Sequence, residues 1–243
     1  MSKKIGILIA VISAAAFLAL IGVLASGLSG NKQPTPEPTE VPFVPEEEQV
    51  VVENGSVLSL TNGLQLKYIA RVSGLFFEDG SNDMVSNFLS ATFVNNSEQY
   101  IQYAKVSLYC DGVQYCFELS TVPPHSIIRA FDINRKTAPV RAMKISGVVE
   151  QYVAFDKAPS RHEDMLEITA SDNIIYVKNI TDERIDGSFY VYYKNYDSGI
   201  LVGGITYRVR VEGGIDAGAT YTGYAPHFSD RYSQVMFVDY DAE

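Results

Sequence analysis

No tryptophan occurs among the 243 residues, and only two are cysteine and three histidine. Two cysteines allow one bridge at most, so this is no disulfide-built scaffold and any core must come from apolar burial. The histidines, at positions 125, 162 and 227, fall in three separate loops, with no H-E-x-x-H and no H-x-H pair to hold zinc. His227, in GYAPHF, is read as a loop histidine beside the stiffening Pro226. No G-x-S-x-G elbow is present. The SDN at Ser171–Asn173 has no K-T-G after it, and the S-x-x-K at Ser29–Lys32 stands at the edge of an apolar run, so Asp172 and Asn173 are read as a turn. Basic residues are also scarce, 19 against 29 acidic, for a net charge of −10. That sign repels phosphate backbones and argues against a nucleic-acid partner. After residue 30 no stretch sustains a 3.6 period, which leaves no room for a helical bundle or βαβ units.

Charge is absent altogether from Ile5 to Leu28, 24 residues. As a helix these span about 36 Å, enough for a hydrocarbon core of about 30 Å. Lys3 and Lys4 precede the run and mainly acidic residues follow, so the positive-inside bias places the N-terminus in the cytoplasm and the rest outside. The alternative is a signal peptide cut after Ala25, although the run exceeds the usual apolar h-region of about 7–15 residues. Residues 31–49 hold five prolines, from Pro34 to Pro45, and read as a polyproline II spacer. Residues 51–160 carry 9 basic and 10 acidic groups and residues 161–243 carry 7 and 14, so the acidity sits in the spacer and the C-terminal part.

What remains is β throughout. Leu64, Leu66, Tyr68, Ala70 and Val72 alternate with polar neighbours, as do Ile205, Tyr207, Val209 and Val211. Period-two alternation with turn signals such as Asn62-Gly63, Asp111-Gly112 and Gly213-Gly214 predicts short antiparallel strands in sandwiches. One stretch occurs twice. VNNSEQYIQYAKVSLY from Val94 aligns without a gap onto KNITDERIDGSFYVYY from Lys178, 84 residues on, placing Asn95 against Asn179 and Ser97 against Thr181. The reading is two tandem antiparallel Ig-like sandwiches, residues 50–157 and 163–243, with residues 158–162 as the joint. In each, the Asn and the Ser/Thr should sit just before the matched strand and bond local backbone.

VSLYCDG, from Val106 to Gly112, resembles the F-x-L-Y-D stretch of FxLYD-type domains, small extracytoplasmic β-sandwiches of Gram-positive bacteria. YVYYKN in the second copy is a weaker echo. The whole chain also resembles uncharacterised membrane-anchored clostridial proteins with ARVSGLFFEDGSNDMVSN and GGITYRV type segments. Val106 departs from the family's Phe, and Cys110 intrudes before Asp111. The resemblance implies a bacterial surface location and brings no catalytic residues.

Three local readings follow. FEDGSND sets Asp79, Ser81 and Asp83 at alternate positions like the start of a calcium loop, but Met84 stands where such a loop needs Gly and Ser90 where it needs Glu. A solvated turn is expected. If Asp111-Gly112 is a two-residue hairpin turn, position 110 pairs with 113, 108 with 115 and 106 with 117. Cys110 then points to the core and Cys116 to the other face, so the thiols stay apart. Lastly, parity carried from the first copy turns Tyr190 and Tyr192 inward. It leaves Phe189, Val191 and Tyr193 outside beside Arg208 and Arg210, residue types that favour a protein-binding patch.

The sequence therefore reads as a membrane-anchored, extracytoplasmic, non-enzymatic binding or structural module. No catalytic residue, cofactor or metal is expected, and the partner would be a cell-surface protein. The alternative is a secreted or surface hydrolase of unfamiliar type acting on cell-wall material.

Overall fold

Alternation at period two becomes strand along most of the computed structural model, which describes residues 46–240. The expected anchor, Ile5–Leu28, lies outside the described residues. Among those described, no helix is long and apolar enough to cross a membrane.

The strands are β1 (Glu46–Gln49), β2 (Val51–Val52), β3 (Leu58–Ser59), β4 (Leu64–Phe76), β5 (Asp83–Asn95), β6 (Ile101–Cys110), β7 (Val113–Val122) and β8 (Ile127–Phe131). They continue as β9 (Arg141–Ala142), β10 (Ile145–Ala154), β11 (Leu166–Ser171), β12 (Ile174–Asn179), β13 (Phe189–Asp197), β14 (Ile200–Val211), β15 (Thr220–Tyr224) and β16 (Ser233–Asp239). The fold is all-β, in several sheets.

Strand order repeats along the chain. In the first set β4-β5-β8 are neighbours in one sheet and β10-β6-β7 in another. In the second set the same order recurs as β11-β12-β15 and β16-β13-β14. Each set buries an apolar layer between its two groups of strands. Leu66, Phe93, Val106, Leu108, Phe117 and Ile128 meet in the first, and Ile175, Val177, Phe189, Val191 and Val209 in the second.

The two sets are not separate beads. The described residues, 46–240, belong to one compact body. The start of β14 lies parallel along β8, pairing Ile200 with Ile127 and Val202 with Arg129. The tip of the β13–β14 hairpin thus extends the first set's sheet at its edge. Leu201 and Tyr196 from that tip pack into the first set's core.

Several sequence expectations hold. The β6–β7 hairpin has the predicted register, with Cys110 facing Val113, Leu108 facing Tyr115 and Val106 facing Phe117. Asp111 and Gly112 both take positive φ, 50° and 87°, as a type I′ turn requires. Cys110 is buried, Cys116 lies on the other face within 3.7 Å of the Ser107 hydroxyl, and both are free thiols.

Two expectations need correction. The spacer was expected to run to residue 49, but Glu46–Gln49 pairs as a strand with Ala70–Ser73. The spacer's prolines end at Pro45, so every residue of Glu46–Gln49 has an N–H to give to a ladder. In β4 the alternation does not persist past Lys67. A bulge there leaves Leu64 and Leu66 in the main core while Ala70 and Val72 turn to a second cluster with Phe76, Phe88 and Phe131.

Candidate functional site

The repeated motif builds the same joint twice. Asn95 ends β5 and Asn179 ends β12. The Oδ1 of Asn95 accepts from the Ser97 N–H and hydroxyl at 3.1 and 2.7 Å, while its Nδ2 donates to the carbonyls of Gln99, Val122 and Pro123. The Oδ1 of Asn179 accepts from the Thr181 N–H and hydroxyl at 2.9 and 2.7 Å, and its Nδ2 donates to Glu183 and Ile215. Both side chains are buried. Each one sits where the chain passes from one sheet to the other and ties carbonyls of its own turn to those of a distant segment.

The most unusual chemistry lies where the sets meet. Along β13–β14 the register slips: Tyr193 faces Tyr207, but Asn195 faces Val202, so only Lys194 opposes residues 203–206. The slip strips backbone groups of their ladder partners, and two buried charges take their place. The Glu78 carboxylate, in the loop after β4, accepts from Gly204 N–H at 2.8 Å, Ile205 N–H at 3.2 Å and Phe131 N–H at 2.7 Å. The Lys194 ammonium donates to the carbonyls of Ser120 and Gly204 at 3.0 Å and of Ile205 at 2.7 Å. Gly204 bridges the charges, giving its N–H to one and its C=O to the other.

Burial pushes the Glu78 carboxyl up, opposed by its backbone donors and by the Lys194 charge. Burial pushes the Lys194 ammonium down, opposed by Glu78. Every protein donor to Glu78 is a backbone N–H, which suits a carboxylate, and three carbonyls suit an ammonium with its three protons. The hydrogen-bonding capacity of both groups is thereby taken up. An opening of about 270 Å³ adjoins them, lined by Glu78, Tyr103, Glu118, Ser120, Gly204 and Thr206. Ser120 caps it, with its hydroxyl 2.7 Å from the Gly204 carbonyl and from the Thr206 hydroxyl. β7 and β14 cross so closely here that a Cβ on Gly204 would overlap the Glu118 carbonyl.

Sequence reasoning passed over Glu78 and Lys194. The signal was a charge directly after each of two aromatic runs, Glu78 after Phe76-Phe77 and Lys194 after Tyr192-Tyr193, with a Gly203-Gly204 pair interrupting a strand pattern. The segments around FFEDG and GGITYRV are the ones that touch.

The expected patch is half corrected. Phe189, Val191 and Tyr193 are not on the outer face: each is no more than 1% exposed, packed in the second core. The reason is parity. In the first copy Ile101 points inward, but a bulge in the pairing of β6 with β10 lets Ala104, Val106 and Leu108 point inward after it. The second copy keeps the odd positions Ile185, Phe189, Val191 and Tyr193 inward, so one residue of slip exchanges the faces.

Arg208 and Arg210 are exposed as expected, and their outer neighbours are Tyr190 and Tyr192. The Arg208 guanidinium lies 4.4 Å over the Tyr190 ring. Arg210 pairs with Glu212 at 3.2 Å. Tyr192 stacks on Phe237 at 4.4 Å, and Phe237 meets Phe155, which meets Tyr100. An aromatic row thus runs from the first set to the second, with Tyr190 and the arginines at its open end.

The FEDGSND loop is a turn closed by a cation of the chain itself. Arg135 binds the carboxylates of Asp79 and Asp83 and the Ser81 hydroxyl. A little burial pushes the Asp79 carboxyl up, but hydrogen bonds from Ser81 and the Arg135 guanidinium outweigh it and hold the group below its usual range. Among the described residues no three His, Cys, Asp or Glu gather as metal ligands. His227 stacks on Tyr207 at 4.6 Å. Asp172 and Asn173 form the β11–β12 turn.

No protein-family model matches the chain, and no curated protein matches it.

Proposed function

We propose that the chain is a membrane-anchored, extracytoplasmic module of two tandem, Ig-like and FxLYD-like β-sandwiches that binds a cell-surface protein. One observation carries the reading. Tyr190, Tyr192, Arg208 and Arg210 share one outer sheet face, with the Arg208 guanidinium laid on the Tyr190 ring. Tyrosine and arginine on a rigid sheet are the residue types that anchor protein interfaces. The β8–β14 ladder supports the same reading, because it holds one set firm against the other and so fixes where that face points. Glu78 and Lys194, the charged groups that burial perturbs most, are occupied with backbone and serve the joint.

The test is site-specific photo-cross-linking on cells from position 210, with position 105 in the first set as control. A defined protein adduct from position 210 alone is expected. The double substitution Tyr190→Ala with Arg208→Glu should abolish it while shifting the melting temperature little. An adduct that survives the double substitution would refute the face.

A further inference from the structure

The two strand sets share their order but not the way their first strand is covered. In the first set β3 lies along the outer edge of β4. Leu58 pairs with Leu66, and the Leu60 N–H donates to the Leu64 carbonyl at 2.8 Å. The side chains of Leu58 and Leu60 pack against the first core. The matching positions in the second set follow from the ladders: Leu64 faces Asn95 as Leu166 faces Asn179, and Leu66 faces Phe93 as Ile168 faces Val177. Ile168 is therefore the counterpart of Leu66. Yet among the described residues β11 pairs only with β12 and is an edge strand.

Its backbone is presented to a groove. The bond from the Ile180 N–H to the Met165 carbonyl sets the alternation on this ladder, so Ile168 and Ala170 turn their N–H and C=O groups outward. Beside them lies a hollow of about 370 Å³ lined by Arg161, Glu163, Leu166, Glu167, Ile168 and Ile180. Ile180 is 46% exposed, a large apolar side chain on the wall of that hollow.

We infer that the outer edge of β11 is an acceptor for an extended segment of a basic partner protein, which adds a strand there as β3 does on β4. The inference rests on the binding-module reading and gives it a second surface and a recognition mode. The internal template sets the occupant's chemistry: two apolar side chains at alternate positions, as in Leu58-Ser59-Leu60. Charge sets the rest. The C-terminal part holds 14 acidic against 7 basic residues, so basic flanks are favoured. A second copy would instead set two C-terminal parts of the same net sign against each other.

The probe is the synthetic peptide KSVLSLTK, titrated into the full chain by calorimetry, beside the same peptide N-methylated at its first leucine amide. Saturable binding is expected, at least tenfold weaker for the methylated peptide. Ile168→Pro should weaken binding as much, since it removes the outward N–H, and an edge strand tolerates proline at such a position. Ile180→Glu, which removes the apolar wall, gives a second variant should the proline one fold poorly. No saturable binding, or equal binding of the methylated peptide, would overturn the inference. So would a dimer of the full chain that Ile168→Pro dissolves, because the occupant would then be a second copy. A cross-link from position 210 that persists in those cases leaves the wider reading standing.

Discussion

Asn95 and Asn179 each use both ends of one amide. The oxygen accepts from a hydroxyl and an N–H two residues on, and the nitrogen serves a carbonyl four residues on and one distant stretch of chain. Alanine at either site removes several buried hydrogen bonds, each worth about 0.5–1.5 kcal/mol net, while the Ser97, Ser126 and Thr181 hydroxyls and the Ile185 N–H still reach the carbonyls of Gln99, Pro123, Glu183 and Ile215. Because the networks match, Asn95→Ala and Asn179→Ala should cost similar amounts in urea unfolding. Asn→Asp at the same sites keeps the acceptor but removes the donor and adds a buried charge, and should cost at least as much. A large loss at one site and none at the other would show that the two turns are alike in shape but not in work. The Ser and Thr two residues on bear the same relation to the asparagine, which is why the motif survives different flanking residues.

At the scale of the element, the β13–β14 hairpin is the decisive piece. Its slip at Lys194 lets one half pair within the second set while the other half joins β8 of the first. The bend leaves N–H and C=O groups without ladder partners, and Glu78 and Lys194 supply them from either side. Breaking one half of a buried charge pair typically costs about 3–5 kcal/mol. Lys194→Met should therefore destabilise by about that much, through unpaired carbonyls and an uncompensated Glu78. In the double variant with Glu78→Gln the second loss disappears, so the combined cost should fall short of the sum by about 0.5–3 kcal/mol. Strict additivity in the unfolding midpoints would mean that the charges act separately, each on its own backbone partners.

Across the whole molecule, tyrosine unites the strand sets. Burial pushes the Tyr100 and Tyr193 phenols from 10 up to about 12, and the Cys110 thiol up to about 11. Tyr207 is raised as well, chiefly by burial with Glu78 adding. These groups hold their protons more tightly folded than unfolded. Their contribution is complete while pH stays below the unfolded value near 10, or near 9 for the thiol. It is lost as pH rises through the folded values of about 11 to about 12. Stability should thus fall steeply above pH 10, and the phenolate absorbance of Tyr100, Tyr193 and Tyr207 should appear together with unfolding. A single smooth phenolic titration that leaves the fold intact would contradict the burial of Tyr193 and Tyr207.

Local pattern was enough to establish the β class, the type I′ turn at Asp111-Gly112, the register of β6 on β7, the opposed cysteines and the recurrence of the asparagine turn. Each depends on neighbours in sequence or on a two-residue loop, so short-range sterics and alternation decide it. Tertiary structure alone decided which face of β13 is buried, because one bulged residue in a distant pair reverses parity with no change in composition. It also decided that Glu78 and Lys194 share Gly204, since 116 positions separate them and only the bend of one hairpin brings both to that residue. The open edge of β11 belongs to the same class. A strand's own residues specify its alternation, but whether another strand lies beside it depends on what the rest of the chain can reach.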